Sequence, residues 1–121
     1  MSSMTYYPPK VERYIHAGVA GMHIEDQVTT KRCGHLQGKE LVDIDTYVSR
    51  IRAAAAARKR LDDDIVLIAR TDALQGFGFD EAVRRLKAAV AVGADVAFLE
   101  GVKTKQDMGR IVEVMVGPVH Y

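Results

Sequence analysis

Three charged side chains stand directly after three short apolar stretches of the chain. Glu25 follows the first stretch, Arg70 the second and Glu100 the third. A guanidinium binds carboxylates through paired hydrogen bonds, and carboxylates can transfer protons. If the stretches are parallel strands, their carboxyl ends bring the three side chains to one polar site. The alternative is that the charges only mark where strands emerge into loops.

The alternation of side chains along a strand sharpens this prediction. Successive residues point to opposite faces, so His23 shares a face with Glu25, and Phe98 shares a face with Glu100. If these faces and that of Arg70 point inward, two carboxylates and one guanidinium converge. His23 could then belong to the site, or it could be an ordinary histidine with no role there.

A second reactive cluster is Lys31, Arg32, Cys33, Gly34 and His35, in a loop of about 20 residues after the first stretch. A free thiol titrates near pH ~8.5, and neighbouring cations lower that value toward the range of a neutral-pH acid or base. Gly34 lets the backbone approach a ligand, and His35 could orient or share a proton. The alternative is a partly buried cysteine beside a solvated basic pair.

The periodicity of apolar residues predicts alternating strands and helices. The strand candidates are Gly21–Glu25, Ile65–Ala69 and Val96–Leu99. The helix candidates are Lys10–Ala17, a helix capped by Asp45, a helix from about Asp80 to Gly93, and a helix opened by Thr104 with Asp107. Residues 76–78 are expected to form a flexible loop, and Val119–Tyr121 to begin another strand.

This alternation predicts an α/β fold with parallel strands joined by right-handed βαβ units. A (β/α)8 barrel typically needs about 250 residues and an open doubly wound sheet about five or six strands, so three clear strands indicate that the chain is part of a larger α/β unit. We expect residues 1–9 to be a flexible leader and residues 10–121 to form this partial unit. The 121 residues do not suffice for two ordinary domains.

Composition excludes several classes of protein. Apolar residues make up 48% and charged residues 27%, which is typical of a globular domain. A net charge of +1 argues against nucleic acid as a partner, and no apolar run is long enough to span a membrane. The single cysteine cannot close an intrachain disulfide, and no secretory leader is visible, so a cytoplasmic location is expected.

Five segments together resemble the isocitrate lyase and phosphoenolpyruvate mutase superfamily. They are Ala20–Gln27, Lys31–His35, Ile68–Ala73, Gly93–Asp95 and Phe98–Gly101. Their order and spacing are most similar to the branch of 2-methylisocitrate lyases, oxaloacetate acetylhydrolases and dimethylmalate lyases. The resemblance covers about residues 11–116.

The resemblance implies a (β/α)8 barrel enzyme that cleaves a carbon–carbon bond of a small 2-hydroxy or 2-oxo dicarboxylate through an enolate. Residues 10–121 would then be a partial (β/α)8 barrel of about three to four βα units. It implies Mg²⁺, with Mn²⁺ as the alternative. Glu25 matches the acidic residue at the metal, Arg70 the arginine that binds a substrate carboxylate, and Glu100 the glutamate near the proton transfers. Cys33 matches the catalytic cysteine that protonates the leaving fragment.

The resemblance also assigns Lys31, Gly34 and His35 to a loop that closes over the ligand, with Lys31 and Gly34 binding substrate and His35 assisting catalysis. Family members are tetramers, so a homo-oligomer is expected. If the natural chain begins upstream, a mitochondrial location is the alternative to the cytoplasm.

The chain departs from the family pattern at its beginning. Family members carry metal-binding aspartates on a strand upstream of anything matched here, and residues 1–9 contain no acidic residue. Two hypotheses therefore stay open. The chain is either such a lyase or hydrolase, or an inactive truncated form with at most a structural or assembly role.

Overall fold

The computed structural model describes residues 3–28 and 40–116. The helices are α1 (Ser3–His16), α2 (Ile44–Arg60), α3 (Ala73–Phe77), α4 (Phe79–Ala91) and α5 (Lys105–Val116). The strands are β1 (Gly21–Glu25), β2 (Val66–Thr71) and β3 (Val96–Leu99). They form a three-stranded parallel sheet in the order β1-β2-β3, which confirms the predicted α/β class.

The register of the sheet sets which residues share a level. Glu25 lies opposite Arg70, and Arg70 lies opposite Phe98. One level deeper, toward the amino ends, His23 lies opposite Ile68. Because parallel strands run in the same direction, the residues that follow the strands lie at one edge of the sheet.

Within residues 3–28 and 40–116, helices cover one face of the sheet and leave the other open. On β1, Met22 and Ile24 are buried while His23 between them is exposed. Leu67 and Ala69 continue the buried side on β2. The core against them comes mainly from α2 and α4 and includes Tyr47, Ile51, Ala54, Ala57, Leu86 and Ala89. Full burial of an Ile or Leu side chain contributes roughly 1.5–3 kcal/mol, so this packing holds His23 and Glu25 on the open face.

Helix α2 begins two residues earlier than predicted. Its N-cap is Asp43, whose Oδ1 accepts a hydrogen bond of 2.8 Å from the Thr46 backbone N–H. Asp45 lies inside the first turn, where a carboxylate still interacts favourably with the helix dipole. The prediction of Asp45 as the cap was wrong, because an aspartate three residues before a free N–H is the better placed acceptor.

The prediction of a flexible loop at residues 76–78 was also wrong in part, because Gly76 and Phe77 belong to the short helix α3. The Thr71 hydroxyl accepts a hydrogen bond of 3.2 Å from the Ala73 backbone N–H and so stabilises the first turn of α3. Gly78, with φ of +91°, then separates α3 from α4.

Helix α1 begins at Ser3, well before the predicted start at Lys10. The Pro8–Pro9 pair lies inside the helix. Proline has a helical φ, but inside a helix it lacks the N–H for one hydrogen bond and its ring crowds the carbonyl four residues earlier, so the pair weakens this helix without ending it. The division into a leader of residues 1–9 and a barrel segment of residues 10–121 stays a prediction, although the expected absence of regular structure before Lys10 was wrong.

At the amino ends of the strands, Arg58 joins several elements. Its Nη1 donates to the Ile65 carbonyl at 3.1 Å and to Asp95 Oδ2 at 2.5 Å, and its Nη2 donates to the Gly93 carbonyl at 3.1 Å. Asp95 Oδ2 also accepts from the Leu67 backbone N–H at 2.9 Å. Arg58 and Asp95 therefore hold the amino ends of β2 and β3 together, at the end of the sheet opposite to Glu25 and Arg70.

Two further expectations concern the carboxyl-terminal part of the chain. Thr104 caps α5 as predicted, since its Oγ1 accepts a hydrogen bond of 3.1 Å from the Asp107 backbone N–H. The predicted strand at Val119–Tyr121 lies outside the described residues.

In the part of the chain that the structure describes, no helix has the length and apolar character needed to cross a membrane.

Candidate active site

Arg70 lies between the two carboxylates predicted to accompany it. Its Nε is 3.7 Å from Glu25 Oε2, and its Nη2 is 4.0 Å from Glu100 Oε2. The sheet explains this arrangement, because Glu25 ends β1, Arg70 lies opposite it one residue before the end of β2, and Glu100 follows β3. Strand β2 thus extends two residues beyond the predicted end at Ala69 and includes Arg70. The three side chains therefore meet at one edge, and the predicted convergence is observed.

Asp72 holds the Arg70 guanidinium from the protein side. Arg70 Nε donates to Asp72 Oδ1 at 2.8 Å and Nη2 donates to Oδ2 at 3.3 Å. The Asp72 side chain is 1% exposed and also accepts a hydrogen bond from Gln27 Nε2. The hydrogen bond to Asp72 is the main reason that the Arg70 pKa is raised above its ordinary value, with smaller contributions from Glu100 and Glu25.

This contact leaves part of the Arg70 guanidinium available. None of the residues that the structure describes accepts a hydrogen bond from its Nη1. The Phe98 ring lies beside the guanidinium, with its centroid 6.0 Å from Arg70 Cζ, and the His23 ring lies 5.6 Å from that of Phe98. The open face of the sheet thus carries the Arg70 guanidinium next to the aromatic rings of Phe98 and His23.

Helix α2 supports the strand ends from behind. The Tyr47 hydroxyl donates to the Arg70 carbonyl at 2.8 Å. Arg50 Nη1 donates to the Glu25 carbonyl at 3.0 Å and to the Gln27 carbonyl at 2.8 Å. These hydrogen bonds fix the backbone of Arg70 and of Glu25, whose side chains bring opposite charges to the site.

A buried ion pair lies one residue beyond Glu25. Asp26, which is 0% exposed, accepts hydrogen bonds from Arg85 Nη1 at 3.1 Å and Thr71 Oγ1 at 2.5 Å through Oδ2, and from the Asp72 backbone N–H at 3.0 Å through Oδ1. Arg85 also donates to the Val42 carbonyl at 2.8 Å. A single carboxylate therefore joins the ends of β1 and β2 to α4.

Sequence analysis missed the supporting residues Arg50 and Arg85, although a signal was present. Arg50 is one of the buried residues of α2, and Arg85 is one of the buried residues of α4. Helical spacing places Arg50 on the buried stripe with Tyr47, Ile51 and Ala54, and it places Arg85 on the buried stripe with Ala82, Leu86 and Ala89. An arginine on such a stripe needs a buried acceptor, which here comes from the ends of the strands.

The backbone pairs on either side of residues 29–39. Val28 N donates to the Glu40 carbonyl at 2.9 Å, and Val42 N donates to the Asp26 carbonyl at 2.8 Å. Gln27 and Leu41 form an antiparallel bridge between these contacts. Both ends of the segment are therefore held at the carboxyl end of β1, which is the edge of the candidate site.

Four of the predicted site residues lie outside the described residues: Lys31, Cys33, Gly34 and His35. Their assignments stay predictions.

A shallow cleft of about 470 Å³ opens beside the candidate site. Gly101, the residue after Glu100, lines it together with Leu74, Gln75, Lys103 and Asp107. Because α3 follows β2 and α5 follows β3, this cleft lies at the carboxyl end of the strands. Glu25, Arg70 and Glu100 are not among its lining residues.

Glu25 is the described residue best placed to bind a cation. Its carboxylate is at the open edge, and its side chain is 38% exposed. Residues 3–28 and 40–116 contain no group of three potential metal ligands. Mg²⁺ commonly uses one or two carboxylates together with water and substrate oxygens, so Glu25 fits as one ligand of such a site rather than as part of an all-protein cage.

The sequence is similar to a known enzyme family along nearly its whole length. The profile of the phosphoenolpyruvate phosphomutase family matches residues 3–121. A probable 2-methylisocitrate lyase of Corynebacterium glutamicum is 52% identical over 91 residues, covering 75% of this chain and 29% of that protein. The 2-methylisocitrate lyase of Escherichia coli is 49% identical over 92 residues, covering 76% of this chain and 30% of that protein.

Solved structures give the same result. A crystal structure of 2,3-dimethylmalate lyase aligns with a TM-score of 0.85 and 55% identity, covering 91% of this chain and 36% of that one. Oxaloacetate acetylhydrolase aligns with a TM-score of 0.86 and 52% identity, covering 92% and 37%. The chain thus spans about a third of the length of these relatives. The likeness confirms that its βα units correspond to part of a (β/α)8 barrel.

Proposed function

Because this chain belongs to the phosphoenolpyruvate mutase/isocitrate lyase family, we propose that it acts as a carbon–carbon lyase or hydrolase on a small 2-hydroxy or 2-oxo dicarboxylate such as 2-methylisocitrate. The observation that carries the proposal is the position of Arg70 between Glu25 and Glu100 at the open edge of the sheet. A dianionic substrate needs such a cation, and the reaction needs groups that exchange protons nearby.

Arg70 binds one substrate carboxylate in this proposal. Asp72 occupies the Nε and Nη2 side of the guanidinium, so the carboxylate approaches from the Nη1 side. Arg70 stays charged throughout the working pH range, because arginine keeps its proton in proteins and the hydrogen bond to Asp72 raises its pKa further. Because Asp72 fixes the guanidinium before substrate arrives, little side-chain entropy is lost on binding.

The reaction requires one proton to leave and one to arrive. In cleavage of a 2-hydroxy acid, the hydroxyl loses its proton, the adjacent carbon–carbon bond breaks, and a carbonyl forms. The electron pair of that bond passes to the leaving fragment as an enolate, which is then protonated on carbon. We assign the proton transfers at the hydroxyl side to Glu100 and the protonation of the enolate to Cys33, with His35 assisting it.

Mg²⁺, or Mn²⁺ in its place, would be held in part by Glu25. Such a cation supplies stabilisation of negative charge on enolate oxygen. Lys31 and Gly34 are assigned to substrate binding, which is supported by the pairing of Val28 with Glu40 at the edge of the site. A cytoplasmic homo-oligomer that uses neither nucleic acid nor membrane as a partner completes the proposal.

The direct test is an assay of the purified chain with 2-methylisocitrate and with oxaloacetate, in the presence of Mg²⁺. We expect turnover of one of them, lost in Cys33→Ala and in Arg70→Gln, and a Mg²⁺-dependent rise in melting temperature that Glu25→Gln diminishes. Absence of turnover with both substrates, together with no thermal shift on adding Mg²⁺, would favour the alternative of an inactive form with a structural or assembly role.

A further inference from the structure

Asp26 and Arg85 form a buried ion pair, and Asp26 is the residue after Glu25 of the candidate site. Asp26 is 0% exposed and Arg85 is 5% exposed. A buried ion pair adds little net stability, because the loss of hydration offsets the attraction between the charges. The contacts that the pair makes with other elements therefore indicate its role.

One set of contacts leads from Asp26 to Arg70. Asp26 Oδ1 accepts from the backbone N–H of Asp72 at 3.0 Å, where the chain leaves β2. The Asp72 carboxylate in turn holds Arg70 Nε at 2.8 Å. The orientation of the Arg70 guanidinium thus depends on the backbone position of Asp72, which depends on Asp26.

A second set of contacts fixes Asp26 itself. Arg85 Nη1 contacts Asp26 Oδ2 at 3.1 Å and the Val42 carbonyl at 2.8 Å, while its Nε donates to Glu81 Oε2 at 2.9 Å. The planar guanidinium reaches these acceptors on separate edges, which a lysine ammonium cannot do in the same geometry. Arg85 therefore ties Asp26, at the end of β1, to α4 and to the segment between residue 39 and α2.

We propose that Asp26 and Arg85 form a positioning pair, which fixes Asp72 so that the Arg70 guanidinium keeps the orientation in which it binds a substrate carboxylate. The inference rests on the proposed function in that Arg70 is taken as the carboxylate-binding residue. Neither member of the pair touches substrate. Disturbing the pair should therefore weaken substrate binding more than it slows the chemical step.

The test compares Arg85→Lys with Arg84→Lys in the full chain. Arg84 is the adjacent arginine, is exposed, and also binds Glu81, so it is a matched control. Thermal unfolding establishes that each variant is folded. The readouts are KM and kcat with the substrate that the wild-type chain turns over, and the ¹⁵N–Hε NMR signal of Arg70, assigned by its absence in Arg70→Lys.

We expect Arg85→Lys to raise KM about tenfold, to leave kcat within about threefold of wild type, and to shift the Arg70 signal. Arg84→Lys should change none of these quantities. Equal effects of the two substitutions, or a folded Arg85→Lys with wild-type KM and an unshifted Arg70 signal, would overturn the proposal.

A single substitution that removes one charge would leave the other charge buried without a partner and could unfold the chain. The double variant Asp26→Asn/Arg85→Met avoids this problem. Removing both charges together should preserve folding, and the Arg70 signal should still shift. If this variant and Arg85→Lys both fail to fold, the pair is a folding requirement and the proposal is overturned. If wild type shows no turnover, the proposed function fails, whereas the Arg70 signal still decides the positioning role.

Discussion

Arg70 Nε lies 2.8 Å from Asp72 Oδ1, and the same nitrogen lies 3.7 Å from Glu25 Oε2. The shorter contact is made on the buried side by a carboxylate that is 1% exposed, and the longer one faces the open edge. Arg70 is thus anchored through one carboxylate while it remains available at the site.

Replacing Asp72 by Asn should raise KM with a smaller effect on kcat, because the guanidinium loses its anchor but keeps its charge. Arg70→Lys should reduce kcat/KM by about 10- to 100-fold, since a lysine cannot reproduce the bidentate contact. Steady-state kinetics measure both effects. Arg110→Lys, at an exposed arginine of α5, serves as the control and should leave kcat/KM unchanged.

Tyr47→Phe should lower the free energy of unfolding by about 1 kcal/mol, because the Arg70 carbonyl loses its hydrogen bond from the buried hydroxyl. Urea denaturation measures the change. The control is Tyr14→Phe, since Tyr14 lies at the surface of α1 and should tolerate loss of its hydroxyl. Equal stability of Tyr47→Phe and wild type would show that water replaces this hydrogen bond.

Gly93→Ala should destabilise the fold by about 2 kcal/mol or more. Gly93 has φ of +131°, and a Cβ there would lie 2.6 Å from the Cβ of Ala55. Gly109→Ala in α5 is the matched control, because a Cβ at that position meets nothing within 4 Å and alanine favours the helix. The melting temperature should therefore fall in Gly93→Ala and rise in Gly109→Ala. A change in the same direction in both variants would contradict the predicted clash with Ala55.

The cap of α2 should make stability depend on acid pH. The hydrogen bonds that Thr46 donates to Asp43 lower the pKa of this carboxyl below its ordinary value of 3.8. Since the folded pKa is the lower one, the stabilisation is present above 3.8 and is lost as pH falls through the folded value. Asp43→Asn retains a capping side chain that does not titrate. Its melting temperature should therefore fall less than that of wild type between pH 5 and pH 2.

Asp45→Asn is the control for this pH dependence. Asp45 lies in the first turn of the same helix but does not cap it. The pH profile of its melting temperature should follow that of wild type more closely than the profile of Asp43→Asn does. Identical profiles for all three proteins would argue against the cap as the titrating group.

The open face of the sheet should make the purified chain associate. Val96 and Phe98 are 44% and 40% exposed there, on the edge strand β3. Exposed apolar side chains beside an unpaired strand edge favour contact with another chain. Val96→Thr should shift size-exclusion elution toward the monomer, whereas Val90→Thr on the outer surface of α4 should not. A monomer at all concentrations would contradict this expectation.

The sequence by itself determined the local part of this structure. The bounds of β1 and β3 match the predicted Gly21–Glu25 and Val96–Leu99, because apolar residues bounded by glycine and charged residues define a short strand. The positions of Glu25, Arg70 and Glu100 at strand ends followed from the same pattern. Their meeting at one edge could be predicted because parallel strands in register share their carboxyl ends.

Local pattern was less informative where two nearby residues compete for one task. Asp43 and Asp45 both precede a helical stretch, and only the backbone conformation decides which of them caps it. Pro8 and Pro9 likewise belong to the stretch that was expected to be a flexible leader, whereas α1 runs through them. Small free-energy differences of this kind depend on packing against the rest of the chain.

Only the tertiary structure decided which charged groups pair in the interior. Asp26 meets Arg85, 59 residues away, and Gln27 meets Asp72, 45 residues away. Residue spacing along a helix shows that an arginine faces the core but not which acceptor it finds there. That acceptor is set when the helices pack on the sheet, because a buried charge must take the partner that packing brings within reach.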